Sequence, residues 1–180
     1  YLTGFIDVVT IDRLYASIPN TPQANYLVKV TCEDNTPITI VGGFYSVNEN
    51  ECKPTLLEVS YEDTTASTIA LTGNNQYLVR NKSVPSFTAT GISALKHATI
   101  SSVKVNLNEA ETPLTLNGTT ASGIGTVVNS AVSIYANFIV TDSRGITTTK
   151  EKLVNIYDWF EPEALITLER KTSNTGSITA

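Results

Sequence analysis

The strongest constraint on the fold is a two-residue alternation that runs through residues 131–141. Such alternation is typical of a half-buried β-strand. Asp142-Ser143-Arg144-Gly145 then interrupts it, because Asp can hydrogen-bond its own backbone at the start of a turn and Gly accepts a positive φ at its end. A threonine-rich return follows, so we predict a β-hairpin over residues 131–157. One face of its first strand carries Val132, Ile134, Ala136, Phe138 and Val140.

Turn signals recur along the chain and separate short runs rich in Thr, Val, Ile and Tyr. This spacing predicts an all-β fold of short antiparallel strands. We expect the strand at residues 114–116 to lie at a sheet edge. The strands predicted besides the hairpin cover residues 24–32, 38–45, 55–61, 77–79, 84–90, 99–107, 114–116 and 165–170.

Four other segments lack a clear strand pattern. We predict a strand and a connector over residues 1–18, and a threonine-rich connection that ends at Gly73. Residues 92–98 are the only stretch compatible with a helix, and they are too short to form one alone. Residues 118–125 lack the Lys and the following helix of a phosphate-binding loop, so we interpret them as a flexible connection.

An internal similarity appears when the chain is shifted along itself by about 110 residues, which places Val28 on Phe138. Each aligned strand precedes a polar turn, a return strand, an aromatic residue (Tyr45 or Tyr157) and a proline (Pro54 or Pro162). Since an immunoglobulin-type sandwich takes ~100 residues, we predict tandem modules. Residues 1–53 would be the C-terminal part of a preceding β module or a small β domain. Residues 54–158 would be a complete immunoglobulin-like antiparallel β-sandwich, and residues 159–180 a junction and the start of the next module.

Composition excludes several classes of function. The net charge is −5 and the pI about 4.8, so the chain lacks the basic surface of a nucleic-acid-binding protein. No apolar run approaches the ~20 residues of a membrane-spanning helix, so we expect no membrane insertion. Because the sequence has no Met and does not open with a signal-peptide pattern, we expect it to be a piece of a longer protein.

The two cysteines, Cys32 and Cys52, are too few for a disulfide scaffold. They could bridge each other or be separate buried thiols. Cys32 continues the alternating face of Tyr26, Val28 and Val30, which favours the buried thiol.

Several short segments appear in one order along residues 18–165. They are Ile18-Pro19, Val41-Gly42, Pro54, Tyr61-Glu62-Asp63-Thr64, Leu71-Thr72-Gly73-Asn74-Asn75, Leu78-Val79, Asn81-Lys82-Ser83, Ala94, Ala98-Thr99-Ile100 and Thr141-Asp142-Ser143-Arg144-Gly145. Together these segments resemble the repeated modules of siphophage tail proteins, the minor structural or tail-fibre proteins of phages that infect Gram-positive bacteria. The resemblance implies an immunoglobulin-like sandwich, a place in the virion tail outside the host cell, and a role in spacing or host attachment. It supplies no catalytic residues, and Glu33-Asp34-Asn35-Thr36 in the first hairpin departs from its most specific turn.

The candidate site is the aromatic cluster Tyr157, Trp159 and Phe160. Exposed aromatic rings can stack on sugar rings, since Trp and Tyr suit positions that are apolar at one end and wet at the other. The position of the cluster at a module junction favours packing between modules instead.

Candidates for catalysis or metal binding are weak. His97 has no signalled base partner or nucleophile, so we interpret it as an exposed loop residue. Two groups of acidic or thiol residues lack any recognised ligand spacing, and we interpret them as solvated surface. These groups are Glu49, Glu51 and Cys52, and Glu58, Glu62 and Asp63.

The sequence therefore predicts a structural module of a phage tail appendage, without enzymatic activity and without a cofactor or a metal. Its expected partners are neighbouring modules of the same chain and other tail proteins, and the chain could form a homo-oligomer. The alternative is a carbohydrate-binding module for bacterial cell-wall polysaccharide, in a phage or a bacterial adhesin. A spacer should lack an exposed aromatic platform, whereas a lectin should gather several aromatic residues on one concave face.

Overall fold

The computed structural model describes residues 8–31 and 37–160. The helices within these ranges are α1 (Val8–Ser17), α2 (Glu49–Cys52) and α3 (Ala66–Thr72). None of the described helices is long and apolar enough to cross a membrane. The strands are β1 (Gln23–Thr31), β2 (Pro37–Ser46), β3 (Glu58–Asp63), β4 (Tyr77–Val79), β5 (Pro85–Thr90), β6 (Ile100–Leu107), β7 (Ala110–Pro113), β8 (Thr115–Asn117), β9 (Thr120–Ile124), β10 (Ile134–Asp142) and β11 (Thr147–Tyr157).

The described strands form three sheets. β1 and β2 pair as a hairpin, and we call α1, β1, β2 and α2 the N-terminal unit. The other strands form a five-stranded sheet in the order β4-β11-β10-β6-β7 and a four-stranded sheet in the order β3-β5-β9-β8. We call these two sheets, with α3, the two-sheet unit. The fold is predominantly β and antiparallel, as predicted, with one parallel pair between β4 and β11.

The core of the two-sheet unit lies between the facing sides of its sheets. Phe138 on β10 is fully buried, and its ring meets Phe87 of β5 edge to face at 5.9 Å. β6 points Val103, Val105 and Leu107 into this core, as its alternation predicted. The contact between the two phenylalanine rings therefore joins one sheet to the other at their centres.

The predicted hairpin of residues 131–157 is confirmed as β10 and β11, which pair from Ile134 opposite Val154 to Thr141 opposite Thr147. Ala136, Phe138 and Val140 are buried, and Ile134 packs against the same core. Val132 was predicted to share that face, but β10 begins at Ile134 and leaves Val132 exposed.

Several segments differ from their predictions. Residues 8–17 form helix α1 instead of a strand, and the spacing of Ile11, Leu14, Tyr15 and Ile18 (i, i+3, i+4, i+7) is the helical signal that the strand interpretation missed. The threonine-rich connection contains helix α3, which ends at Gly73 with a left-handed φ of 69°. The 92–98 stretch agrees with the prediction that it is too short to form a helix alone: Ser93 pairs with Thr55, and both Lys96 and His97 adopt positive φ.

Residues 118–125 are not a flexible connection, because they contain β9, which pairs with β5 on one side and β8 on the other. Two small-residue positions allow this strand to approach its neighbours closely. A Cβ on Gly123 would lie 2.7 Å from the Pro113 carbonyl oxygen, and one on Gly125 would lie 2.8 Å from the Phe87 ring. The prediction that residues 114–116 lie at an edge is confirmed by β8, which ends the four-stranded sheet.

Cys52 is a free, fully buried thiol, as the interpretation of separate buried thiols favoured. Its grouping with Glu49 and Glu51 as solvated surface was wrong for this residue, because its side chain lies in the small core with Tyr15 and Val47. Cys32 and the predicted turn of the first hairpin lie outside the described residues, as does the segment predicted to open the next module beyond Phe160.

Replacing Phe138 with Ala should lower the free energy of unfolding by about 3–5 kcal/mol, because the substitution leaves a cavity at the contact between the sheets. Tyr135→Ala on the same strand is the matched control, since that ring is 58% exposed and its loss should change stability by about 0.5 kcal/mol or less. Urea unfolding followed by circular dichroism measures both. Equal effects of the two substitutions would contradict the assigned core.

Candidate functional site

The turn between β10 and β11 adopts the conformation that its sequence predicts. The Asp142 carboxylate accepts hydrogen bonds through Oδ1 from the backbone N–H groups of Arg144 and Ile146, each at 2.9 Å. Gly145 has a φ of 85° and donates its N–H to the Asp142 carbonyl at 3.0 Å. No atom lies within 4 Å of a Cβ placed on Gly145, so the positive φ and not lack of space favours glycine here.

The side chain of Arg144 leaves this turn and docks on the C-terminal end of α1. Its Nε donates to the Ile18 carbonyl at 3.0 Å, and its Nη2 donates to the Tyr15 carbonyl at 3.4 Å. The last carbonyls of a helix lack partners within the helix, and a cation there also interacts favourably with the helix dipole. Because α1 has no basic residue in its last turn, Arg144 supplies this charge from the two-sheet unit.

The same guanidinium holds a loop of its own unit. Nη1 donates to the Leu95 carbonyl at 3.3 Å, and Nη2 also donates to the Lys96 carbonyl. Lys96 and His97, whose φ angles are positive, lie in this loop. Arg144 thus joins the β10–β11 turn, the 95–97 loop and α1 through carbonyl oxygens alone.

A small apolar core surrounds these hydrogen bonds. Ile146, which follows the turn, is buried against the N-terminal unit. Ser143 donates through Oγ to the Pro19 carbonyl at 2.6 Å, and the Arg144 guanidinium lies 5.8 Å from the centre of the Tyr15 ring. The residues from the N-terminal unit in this core are Tyr15, Ile18, Val47 and Cys52.

The charges at this contact are withdrawn from water. The side chains of Asp142 and Arg144 are both fully buried, with Oδ2 and Nη1 4.0 Å apart. Oδ2 has no hydrogen-bond partner. A buried carboxylate of this kind depends on the nearby cation, because removing one charge of such a pair leaves the other uncompensated.

Tyr15 has a strongly perturbed titration. Burial raises the pKa of its hydroxyl well above the ordinary value of about 10, and hydrogen bonds with Tyr45 and Cys52 raise it further. The Tyr15 ring also meets the Tyr45 ring edge to face at 6.1 Å. These contacts lie within the N-terminal unit, whereas Arg144 and Ile146 bring the other unit against the same tyrosine.

The predicted aromatic cluster lies at the other end of β11. We call this end of the two-sheet unit, with residues 157–160, the exit end, and the end with residues 142–146 the entry end. The Tyr157 ring stacks on Tyr77 with centroids 4.9 Å apart and planes at 18°. Arg80 donates from Nη1 to Oδ1 of Asp158 at 2.9 Å, and its backbone N–H donates to the Tyr157 carbonyl at 3.0 Å.

Trp159 lies between two shallow surface depressions of the exit end. It shares one, of about 340 Å³, with Tyr157, and the other, of about 450 Å³, with Phe160. The Lys82 ammonium is 4.3 Å from the centre of the Trp159 ring, and Phe160 is 80% exposed. The structure thus brings the three predicted residues to one end of the unit, with open apolar surface beside them.

The remaining candidates from the sequence are His97 and the acidic groups that were considered for metal binding. His97 is an exposed loop residue, as interpreted from the sequence, and its Nε2 lies 3.0 Å from Oδ1 of Asp12 on α1. No group of three metal-ligating side chains forms within the described ranges. Asp63 was predicted to be solvated, but it is buried and accepts hydrogen bonds from the hydroxyls of Thr68 at 2.5 Å and Ser83 at 2.6 Å.

Sequence reasoning located the Asp-Ser-Arg-Gly turn but missed the function of Arg144 as a contact between units. An arginine in a surface turn is ordinarily solvated, and the carbonyls that it binds on α1 are 126 and 129 positions away in the chain. In the sequence, the signal for this contact was the helical spacing of α1 together with an arginine for which no partner was predicted.

We expect Arg144→Ala to lower the free energy of unfolding by about 3–5 kcal/mol, because Asp142 would stay buried without its cation. Amide hydrogen exchange should accelerate in α1 more than in β6 or β10. Arg80→Ala is the matched control, since its ion pair is partly exposed and should contribute about 1 kcal/mol or less. Unchanged exchange in α1 would contradict the assigned contact.

The raised pKa of Tyr15 predicts a loss of stability in alkali. Above about pH 10 the unfolded chain loses this proton while the folded protein keeps it, so the free energy of unfolding falls as the pH rises. One such group lowers the free energy of unfolding by about 1.4 kcal/mol for each unit that the pH rises above this value. In urea unfolding, Tyr15→Phe should be less stable than the wild type near neutral pH, and the difference should shrink above about pH 10. A constant difference would contradict the prediction.

One comparison with known proteins, a match to a family model, indicates a viral protein. The family described as "Siphovirus protein of unknown function (DUF859)" matches residues 10–180. No curated protein and no solved structure matches the chain. Since the family covers nearly the whole sequence, including both the Arg144 contact and the aromatic cluster, the chain belongs to this siphovirus protein family.

Proposed function

We propose that this siphovirus protein is a non-enzymatic structural segment of a tail appendage, a spacer of tandem β-sandwich modules that contributes to host attachment. The observation that carries the proposal is where the two-sheet unit is connected to the chain before it and to the chain after it. The N-terminal unit is held at the entry end by Arg144, and the chain leaves at the exit end after Tyr157. β11 has 11 residues, so the two ends are roughly 35 Å apart. Units connected in this way extend end to end.

The strand order supports an immunoglobulin-like class for the two-sheet unit. In that class strands A, B, E and D form one sheet, and C, F and G belong to the other. Taken in chain order, β3, β5, β9 and β8 correspond to A, B, E and D, and β6, β10 and β11 correspond to C, F and G. β4 and β7 extend the second sheet at its edges.

The central contact also corresponds to that class. Antibody domains join strands B and F across the core with a disulfide. Here the corresponding strands are β5 and β10, and they meet through Phe87 and Phe138. An apolar ring pair gives the same inter-sheet contact without an oxidising environment during folding, which suits a phage protein made in the bacterial cytoplasm.

The N-terminal unit supports a tandem arrangement. Its β1–β2 hairpin has the same order as β10–β11, and both hairpins lead to a tyrosine that packs on another tyrosine, Tyr45 on Tyr15 and Tyr157 on Tyr77. The N-terminal unit would then be the end of a preceding module. The Arg144 contact would be the joint between the two.

A second candidate function is binding of cell-wall polysaccharide. The observation in its favour is the exposed aromatic surface at the exit end, where Trp159 borders two open depressions. Retention on purified Gram-positive cell walls that Trp159→Ala abolishes would favour this function. Leu116→Ala, at an exposed apolar position on the edge strand β8, is the control.

We expect antibodies raised against the purified chain to label the tails of intact virions in immunogold electron microscopy. Mass spectrometry of the same virions should detect the protein at a constant ratio to the tail-tube protein. Antibody that has been pre-absorbed with the purified chain is the control. A protein that is abundant in infected cells but absent from purified virions would contradict the proposed function.

A further inference from the structure

We infer that the exit end is the docking surface for the next module of the same chain, and that this module seats the turn between its last two strands there. The inference rests on the proposed tandem arrangement. It adds the surface, the partner and the residues that would form each successive joint.

The exit end concentrates the exposed apolar surface of the protein. Eleven large hydrophobic side chains are exposed among those that the structure describes, and six of them lie at or beside the exit end. Apolar side chains exposed singly are ordinary, but a contiguous group marks an interaction site. The six are Leu71, Val132, Tyr135, Leu153, Tyr157 and Phe160.

These residues share one region of the molecule. Tyr135 and Leu153 are direct cross-strand partners, and Tyr135 is the second residue of β10, at the end away from the turn. Leu71 lines the same depression as Tyr157 and Trp159. Leu71, Tyr157, Trp159 and Phe160 therefore line adjoining depressions where the chain leaves, and Tyr135 and Leu153 lie on the neighbouring part of β10 and β11.

The entry end shows what covers such a surface. There the end of the β1–β2 hairpin, through Tyr45 and Val47, packs with Tyr15 and Ile18 around Ile146 of the following turn. The shift that aligns the two hairpins places Tyr45 near Tyr157 and Val47 near Trp159. Since the first of these equivalent ends is covered by a turn of the next unit, the second has the same kind of occupant.

The chemistry of the exit end fits that occupant. The depression is lined by Leu71, Thr72, Val79, Tyr157, Asp158 and Trp159. Its apolar members can contact an apolar side chain placed as Ile146 is, one residue after a turn glycine. The next module is joined through Phe160, so it is held at a high local concentration beside this surface. A modest apolar contact is therefore enough to dock it.

Trp159 is the single tryptophan of the chain and reports on this surface. The test compares the 180-residue protein with a lengthened chain. The lengthened chain consists of residues 1–161 followed directly by a second copy of residues 54–180, so that Pro54 of the second copy stands where Pro162 was. The second copy carries Trp159→Phe. Fluorescence of the first Trp159 should shift to shorter wavelength in the lengthened chain, and its quenching by acrylamide should fall several-fold.

Two variants make the result specific. Ile146→Asp in the second copy should restore quenching to the level of the 180-residue protein, because Ile146 is the side chain that the depression receives. Leu71→Asp in the first copy should do the same without unfolding the chain, because Leu71 is 58% exposed. Leu116→Asp in the first copy is the matched control and should leave the protection unchanged. Circular dichroism verifies that each variant is folded.

Equal quenching in the two chains, with both copies folded, would overturn the inference. It would also be overturned if cell-wall polysaccharide shifted the Trp159 fluorescence of the 180-residue protein, because the exit end would then be a glycan platform. Either result leaves the immunogold experiment unaffected, so failure of this joint is distinguishable from failure of the proposed tail function.

Discussion

The arrangement of the two units depends on one buried guanidinium. The Arg144 side chain is fully buried and shares its charge among carbonyls at the end of α1 and in the 95–97 loop, with Asp142 at 4.0 Å. Burying a charge is costly unless hydrogen bonds and an opposite charge offset the loss of hydration. Asp142 and the 95–97 loop belong to the unit of Arg144 itself, but its hydrogen bonds are complete only when the end of α1 is in place. The turn, the loop and the helix are thus stabilised together.

This dependence gives the protein two unlike ends. At the entry end, polar hydrogen bonds define the orientation of the two units, and the apolar contact of Ile146 with Tyr15 excludes water around them. At the exit end, the corresponding apolar surface is open and carries Tyr157, Trp159 and Phe160. A filled joint and an open one on the same unit are what the proposed arm of tandem modules would require. The proposed glycan site would use the same open surface for a different partner.

Local pattern predicted most of the strands correctly and failed in specific places. β6 and β10 alternate because one face of each strand meets the core and the other face does not. β9 was missed because its small residues carry little hydrophobic signal, although Ala121 is fully buried in the centre of its sheet. Helix α1 was missed because its apolar residues suit either period over a short window. At the candidate site, the aromatic cluster was predicted and its neighbours Tyr77, Arg80 and Leu71 were not.

The sequence by itself determined where the β10–β11 hairpin lies, which of its faces is buried, and that Asp142 and Gly145 form its turn, because these properties depend on neighbours within a few residues. Only the tertiary structure decided the order of strands in each sheet, the burial of Arg144 and the gathering of exposed aromatic residues at one end. These properties join residues that are tens to more than a hundred positions apart. Their energies depend on desolvation and packing, which no local pattern of side chains records.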